Sequence, residues 1–457
     1  MSFTKSALLG SAAVIAVVAG AQAADLPSKK AAPATYVKIC DAYGAGFFYV
    51  PGTETCVKLG GLARFEFGYT PGKDTIDPKT GAVQQSGNVQ STTGFFERAR
   101  LVLDSRTPTA MGAARTYIRL RVENASGLRN VTVTDKTAYG MSDNSATTIK
   151  IDSALVQWAG FSFGQGPDFY NMMPNNPFGG VTYAFYGTSG AKELAYTATF
   201  GGGISATLAA EDQRDLAYAQ AALAQPATAA NIVGNLRLDQ AWGFAGVSAM
   251  VGNNSLNNTA IDAVSPGQTT FGAYAIGATV SYNLPMIAAG DQVWFTTNYA
   301  KGLLGGLLSN GGLSTLGGVN RLLGGVVRVD TNLVQTGGTG TASASNVLTY
   351  GSTTGWNLAT EYVHYWAPQW RSIASAGYIS LSPPTSSVAS TWGAGKLWEV
   401  SGSLIYSPVK DMDIGLELQY ANLKNTMQNP TAAFLAAGQP GLSVNNYSAR
   451  FRAERAF

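Results

Sequence analysis

Across 457 residues, 30 Lys and Arg face 27 Asp and Glu, a formal net charge of +3. That balance is too even to hold a polyanion such as nucleic acid by counterion release. Only 12% of the residues are charged, 11% are aromatic and 54 are Gly, a composition that favours strands and turns over a soluble helical enzyme.

Taken in chain order, Lys5 precedes an apolar run from Ala7 to Gly20 that ends at Ala21-Gln22-Ala23. These are the charged, apolar and A-x-A parts of an export leader. The run is too short to cross a bilayer, and no later stretch of about 18 apolar residues follows. Cleavage after Ala23 is expected to remove residues 1–23 and to leave one mature domain, 24–457, outside the cytoplasm. The net charge falls by one when Lys5 leaves.

Cys40 and Cys56 are the two cysteines of the chain. In an exported protein such a pair reads as a disulfide, worth about 3 kcal/mol for a loop of this size. A metal site needs two further ligands, and the single His stands far off at His364.

From Cys56 onward, alternation dominates. In CVKLGGLARFEFGY, Val57, Leu59, Ala63, Phe65, Phe67 and Tyr69 share one face, and Lys58, Arg64 and Glu66 the other. In FERARLVLDSR, Ala99, Leu101 and Leu103 oppose Arg98, Arg100, Asp104 and Arg106. In RTYIRLRVEN, Ile118, Leu120 and Val122 oppose Arg115, Arg119, Arg121 and Glu123.

Strands are predicted near 56–70, 91–106, 113–126, 148–158, 160–165, 192–200, 203–212, 230–239, 242–252, 271–283, 290–300, 355–366, 368–380, 396–406, 412–424 and 444–457. Many are longer than the five or six residues usual in a sandwich. Their connections alternate long and short, with both chain ends on the short-turn side. An even number of strands with that rhythm predicts an all-β transmembrane antiparallel barrel.

The last strand, NNYSARFRAERAF, then sets Tyr447, Ala449 and Phe451 toward lipid and Arg450, Arg452 and Glu454 toward a wet lumen. Arg455 falls on the lipid register near the interface, and Phe457 ends the barrel. Trp158, Trp294, Trp356, Trp366, Trp370 and Trp398 are expected in the interfacial girdles. His364 is expected on the outer face with Tyr362 and Trp366.

Lys58, Arg64, Arg98, Arg100, Arg115, Arg119 and Arg121 come from the first three strands and would form one basic wall. Two readings stand side by side: solvated charges balanced locally by Glu66, Asp104 and Glu123, or a constriction whose transverse field filters ions. The connection Gly164–Gly190 is rich in Pro, Gly, Met and aromatic residues. It is expected to fold into the barrel and narrow the pore, with Asp168 its only acid and Glu193 just beyond. Segments 212–224 and 431–438 read as short helices in long loops, and the content of 301–354 is left open.

No HExxH motif occurs, and the Gly-Lys pair of GAGKLW at 393–398 lacks the spacing and the Ser or Thr of a phosphate loop. No catalytic residue, metal or cofactor is expected.

The mature start, ADLPSKKAAPATYVKICDAYGAGFFYVPGTETCVKLGG, resembles the opening of the alphaproteobacterial porins. The Arg-rich second and third strands, Phe163-Gly164-Gln165-Gly166-Pro167 before the third loop, and the terminal Phe457 resemble the same family. The resemblance implies a sixteen-stranded barrel, assembled as a homotrimer, for passive diffusion of small hydrophilic solutes across the outer membrane. It implies too that Arg64, Arg98, Arg100, Arg115, Arg119 and Arg121 face Asp168 across the pore. Outer-membrane lipid and lipopolysaccharide are the further partners expected. The alternatives are a solute-specific, anion-preferring channel, a barrel-anchored adhesin, and a soluble secreted β-protein such as a lectin.

Overall fold

The computed structural model describes residues 38–69, 75–76, 83–84, 93–126, 146–174, 178, 191–212, 230–255, 270–307, 331–336, 347–384, 391–428 and 441–457. The expected leader and the two expected helical segments lie outside them, apart from Asp212, which ends a strand.

Sixteen of the described strands form the wall. They are β1 (Cys56–Tyr69), β2 (Thr93–Thr109), β3 (Gly112–Ala125), β4 (Ala146–Trp158), β5 (Phe161–Gly166), β6 (Ala191–Gly201), β7 (Ile204–Asp212) and β8 (Asn231–Gln240). The wall continues with β9 (Gly243–Ser255), β10 (Thr270–Asn283), β11 (Gln292–Lys301), β12 (Thr354–Ala367), β13 (Trp370–Ser382), β14 (Thr391–Tyr406), β15 (Met412–Gln428) and β16 (Gly441–Ala456).

Each strand pairs antiparallel with the next, and β16 pairs with β1 from Leu62↔Ala456 to Tyr69↔Ala449. Pairing around the ring satisfies most of the wall's backbone groups within the sheet, as a bilayer demands; β5 is short, so the part of β4 before Ala154 pairs only with β3. The terminal residue extends the seam. The Phe457 N–H donates to the Gly61 carbonyl at 3.0 Å, and the Gly61 N–H donates to the Phe457 carbonyl at 3.1 Å. A Cβ at Gly61 would stand 2.5 Å from the Phe457 ring and 2.6 Å from the Arg100 carbonyl oxygen, so only glycine admits the ring there.

The short turns fall where alternation breaks. Between β4 and β5 two residues suffice, Ala159 at φ 51° and Gly160 at φ 86°, the left-handed pair that a tight hairpin requires. Gly202 and Gly203 do the same between β6 and β7.

Alternating burial identifies the two faces. On β16, Tyr447 and Phe451 are exposed while Arg450 and Arg452 are buried at 1%; Arg455 is exposed near the rim. Leu416, Leu418, Ile149 and Ile151 are likewise exposed, as lipid-facing residues must be. Of the expected girdle residues, Trp158, Trp356, Trp366, Trp370 and Trp398 lie on this outer face. Trp294 does not. On β11 the outward residues include Phe295 and Tyr299, and Trp294, one step out of phase, points inward at 1% exposure. There its Nε1–H donates to Glu361 at 3.4 Å.

His364 shares the outer face with Tyr362 and Trp366, as expected, at the short-turn rim. Its Nδ1 lies 2.7 Å from an Asp291 oxygen that also accepts from the Tyr362 hydroxyl at 2.8 Å. Ahead of β1, Cys40 and Cys56 form a disulfide, with Cα atoms 6.1 Å apart, packed on Phe47. A two-residue strand, Phe48–Tyr49, pairs back on Cys56 and Val57. Within 301–354 a separate hairpin joins Thr331–Thr336 to Val347–Ser352. The start of that connection, residues 303–307, turns inward, with Leu304 and Leu307 fully buried.

Candidate functional site

The inner surface has two unlike walls. The first is built from β1 to β4 and β15 to β16, and the predicted arginines converge on it from adjacent strands. Arg100 on β2 is directly opposite Arg121 on β3, an arrangement of like charges that destabilises a bare sheet. A carboxylate between them reverses its sign. Asp152 approaches Arg121 Nε at 2.9 Å, Arg100 Nε at 3.2 Å and Arg119 Nε at 3.4 Å.

Asp152 reaches that place because β4 carries a bulge. Arg119 pairs with Ser153 and Leu120 with Ile151, so Asp152 is the extra residue. The sequence reading missed it, although a signal exists. The apolar beat of Ile149 and Ile151 slips by one and resumes at Ala154, Val156 and Trp158, which is how an inserted strand residue looks in sequence.

The other arginines also take carboxylates from the wall itself. Arg98 Nε donates to Glu123 at 2.6 Å. Arg115 forms a two-pronged pair with Asp104 at 2.9 Å and adds Gln157 at 2.9 Å, the planar match that guanidinium and carboxylate favour. Arg64 meets Glu454 at 2.6 Å across the β1–β16 seam. Beside it Arg452 donates to Glu66 at 2.8 Å, and Arg450 pairs with Glu417. Lys58 lies lower, donating to the Ala45 carbonyl at 3.2 Å beneath the disulfide-bounded turn.

The second wall, from β6 to β14, presents mostly small, hydroxyl and apolar groups inward, such as Ala273, Ala275, Thr279 and Ser281 on β10 and Val233, Met250, Ile379 and Leu397 elsewhere, with the buried carboxylates Glu193, Glu211, Glu361 and Glu399 among them. The described part of the third connection packs on it. The Phe169 carbonyl accepts from Asn235 at 2.7 Å and the Phe169 N–H donates to Glu211 at 2.8 Å. The Tyr170 hydroxyl donates to Asn298 at 3.1 Å. Burial first, and the neighbouring Asp168 charge second, push that phenol far above its ordinary range, so Tyr170 is a fixed hydrogen-bond donor.

Further along, Phe178 sits at 1% exposure. Its carbonyl accepts from Ser403, and its ring lies 4.9 Å from the Arg452 guanidinium. A Cβ at Gly415 would fall 2.6 Å from this ring. The connection therefore reaches from the second wall to the seam of the first. Asp168 is buried at its start, where its carboxylate accepts the Asn171 N–H at 2.7 Å. Glu193, also buried, accepts from Ser162 at 2.6 Å.

Residues 303–307 join the same packing. Asn357 donates to the Leu307 carbonyl at 2.7 Å and accepts from Asn298 at 2.9 Å, so one amide chain links Tyr170, Asn298, Asn357 and Leu307. At the short-turn rim a cavity of ≈ 680 Å³ opens, lined by Pro174, Gln292, Glu361, Arg371 and Asp413 among others. Arg371 and Asp413 pair across it at 2.7 Å.

Over 215 residues the chain is 33% identical to porin Omp2b of Brucella suis; the alignment covers 46% of this chain and 54% of that protein. The chain thus spans about half the length of the curated relative it matches. Among solved structures, the outer membrane channel DcaP of Acinetobacter baumannii superposes with a TM-score of 0.60 at 14% identity, covering 90% of this chain and 99% of that one. That likeness establishes the fold. The family described as Porin subfamily matches residues 25–447. A match of that extent takes in every barrel strand but the end of the last, and the chain therefore belongs to the Porin subfamily.

Proposed function

We propose that this outer-membrane barrel is a general diffusion porin, a water-filled channel through which small hydrophilic solutes and ions pass by size and charge. One observation carries the reading. A closed barrel turns a dense set of ion-paired arginines inward on one side and packs a connecting segment inside on the other. Charged groups in a lumen keep it wet, and a segment inside sets its width. In this reading Arg64, Arg98, Arg100, Arg115, Arg119 and Arg121 form the basic side of the constriction and Asp168 stands on the loop side. The assembly is a homotrimer, surrounded by outer-membrane lipid and lipopolysaccharide.

A second reading is favoured by the convergence of Arg100, Arg119 and Arg121 on one carboxylate, Asp152. A solute-specific, anion-preferring channel would use such a site as its track. Single-channel recording of the refolded mature protein under a salt gradient tests both. Steps in threes with a modest reversal potential support the diffusion porin. Block by one solute at micromolar concentration supports the specific channel. A silent bilayer with the protein inserted overturns both.

A further inference from the structure

Outward-facing lysines at the long-loop rim stand in three settings, and on β11 Lys301 is a single charge opposite Tyr274 and Thr354. On β6, Lys192 is directly opposite Asp212 of β7, so its charge is met by an acid of the same face. On β14, Lys396 is directly opposite Lys424 of β15. Their other cross-strand neighbours are Ser380 and Ser443, which carry no charge. Both lysines are exposed, and both belong to the lipid-facing register of Trp398, Leu416 and Leu418.

Residues directly opposite on one face hold their Cβ atoms about 5 Å apart, and like charges there repel. In the lumen, the matching arginine pair on β2 and β3 is resolved by the inserted Asp152. Among the described residues, no carboxylate of the wall takes that part between Lys396 and Lys424. A lone interfacial lysine snorkels to water without a partner, but two held face to face leave a concentrated positive site.

The surroundings fix the depth of that site and its ligand. Rings of the outer face run beneath the two lysines: Trp398 and Tyr420 at 4.8 Å, Tyr420 and Tyr447 at 4.8 Å, and Trp356 and Tyr378 at 5.2 Å between centroids. Such belts mark the headgroup level of a bilayer. Between belt and lysines, Asn422 donates to Asn445 at 2.6 Å, and the Tyr420 hydroxyl donates to the same oxygen at 2.9 Å. This is a polar island on a face that is otherwise apolar, placed where a phosphate would hang from a lipid headgroup.

We propose that Lys396 and Lys424 bind the phosphate of an anionic lipid headgroup in the outer leaflet. This deepens the lipid-partner reading above and rests on the long loops lying on the cell exterior. The lysines supply the charge, and the aromatic belt packs on the acyl-chain side of the headgroup.

The test is native mass spectrometry of the full-length mature protein in detergent, titrated with bis-phosphorylated lipid A and with the same lipid stripped of its phosphates. The phosphorylated lipid is expected to bind and the stripped lipid to bind weakly. K396Q/K424Q should lower affinity for the phosphorylated lipid about tenfold, while K396R/K424R and K192Q should leave it unchanged. Retained heat-resistant migration and circular dichroism establish that each variant is folded.

Equal affinity in K396Q/K424Q, or equal binding of the stripped lipid, would overturn the assignment. Displacement of the lipid by inorganic phosphate alone would make this a free-anion site. Loss of oligomer by K396Q/K424Q in lipid-free detergent would make it a subunit contact. Recording K396Q/K424Q in a bilayer of neutral lipid tests the channel reading separately, with conductance expected to match the native protein.

Discussion

The two walls of the lumen solve the same problem, a polar surface inside a closed sheet, by opposite means. On the side of β1 to β4 and β15 to β16, charge is matched by charge between strands that are neighbours in the sheet. On the side of β6 to β14, most inward positions are small, hydroxyl or apolar. Buried carboxylates such as Glu211, Glu361 and Glu399 stand among them without an arginine ladder, and the interior is completed by segments folded in from outside. The first wall is self-sufficient, since its acids come with its arginines. The second depends on Phe169, Tyr170, Phe178, Leu304 and Leu307 for its packing. Selectivity should therefore answer to changes in the first wall, and pore width and heat stability to changes in the second.

The largest effect is expected from Asp152→Asn. It leaves Arg100, Arg119 and Arg121 without their shared carboxylate, and removing one partner of a buried ionic cluster costs about 3 kcal/mol. Chemical denaturation should read that loss, and reversal potentials should move toward anions. An unchanged reversal potential would take Asp152 off the conduction path. Next comes Gly355→Val on β12, which drives a side chain into Leu381 and Leu307 and should cost about 2 kcal/mol. Single-channel conductance should change with ion preference held. The reverse pattern would abolish the division between the walls.

Arg98→Ala with Arg100→Ala should lower anion preference about fivefold, the worth of roughly 1 kcal/mol of screened charge interaction. Asp168→Asn should shift preference the other way, and by less, because that carboxylate is engaged by its own turn. A null result for Asp168→Asn would place its charge outside the field of the pore.

The smallest effect concerns the short-turn rim. Burial would raise the Asp291 carboxyl, but donation from His364, the Tyr365 N–H and Tyr362 holds it below the usual aspartate range. A depressed carboxyl stabilises the fold above its unfolded-state value and loses that contribution as pH falls through the folded one. Melting temperature should therefore drop more steeply below about pH 4 in the native protein than in Asp291→Asn.

Local alternation alone was enough to locate the strands, their short turns and the facing of most side chains. Period-two patterning against lipid is a strong constraint, because a one-residue slip exposes a charge to hydrocarbon. That is why Arg450 and Arg452 were legible as inward and Tyr447 and Phe451 as outward. The same constraint made the Arg98, Arg100, Arg119 and Arg121 cluster predictable, since adjacent strands of a meander are neighbours in space.

Other features required the closed sheet. The seam joins Glu66 to Arg452 and Arg64 to Glu454, partners that no local pattern connects because they stand at opposite ends of the chain. Trp294 reads as a girdle residue from its type and its nearness to a strand end, yet its phase, set by Phe295 and Tyr299, turns it inward to Glu361. Leu304 and Leu307 belong to a Gly- and Leu-rich stretch with no periodicity, so only the space left open by small residues on β10 to β13 decides where they pack. Sequence thus determined the elements and their faces, through period and turn chemistry. Tertiary structure decided which charges meet and what fills the lumen, because both depend on closure of the barrel.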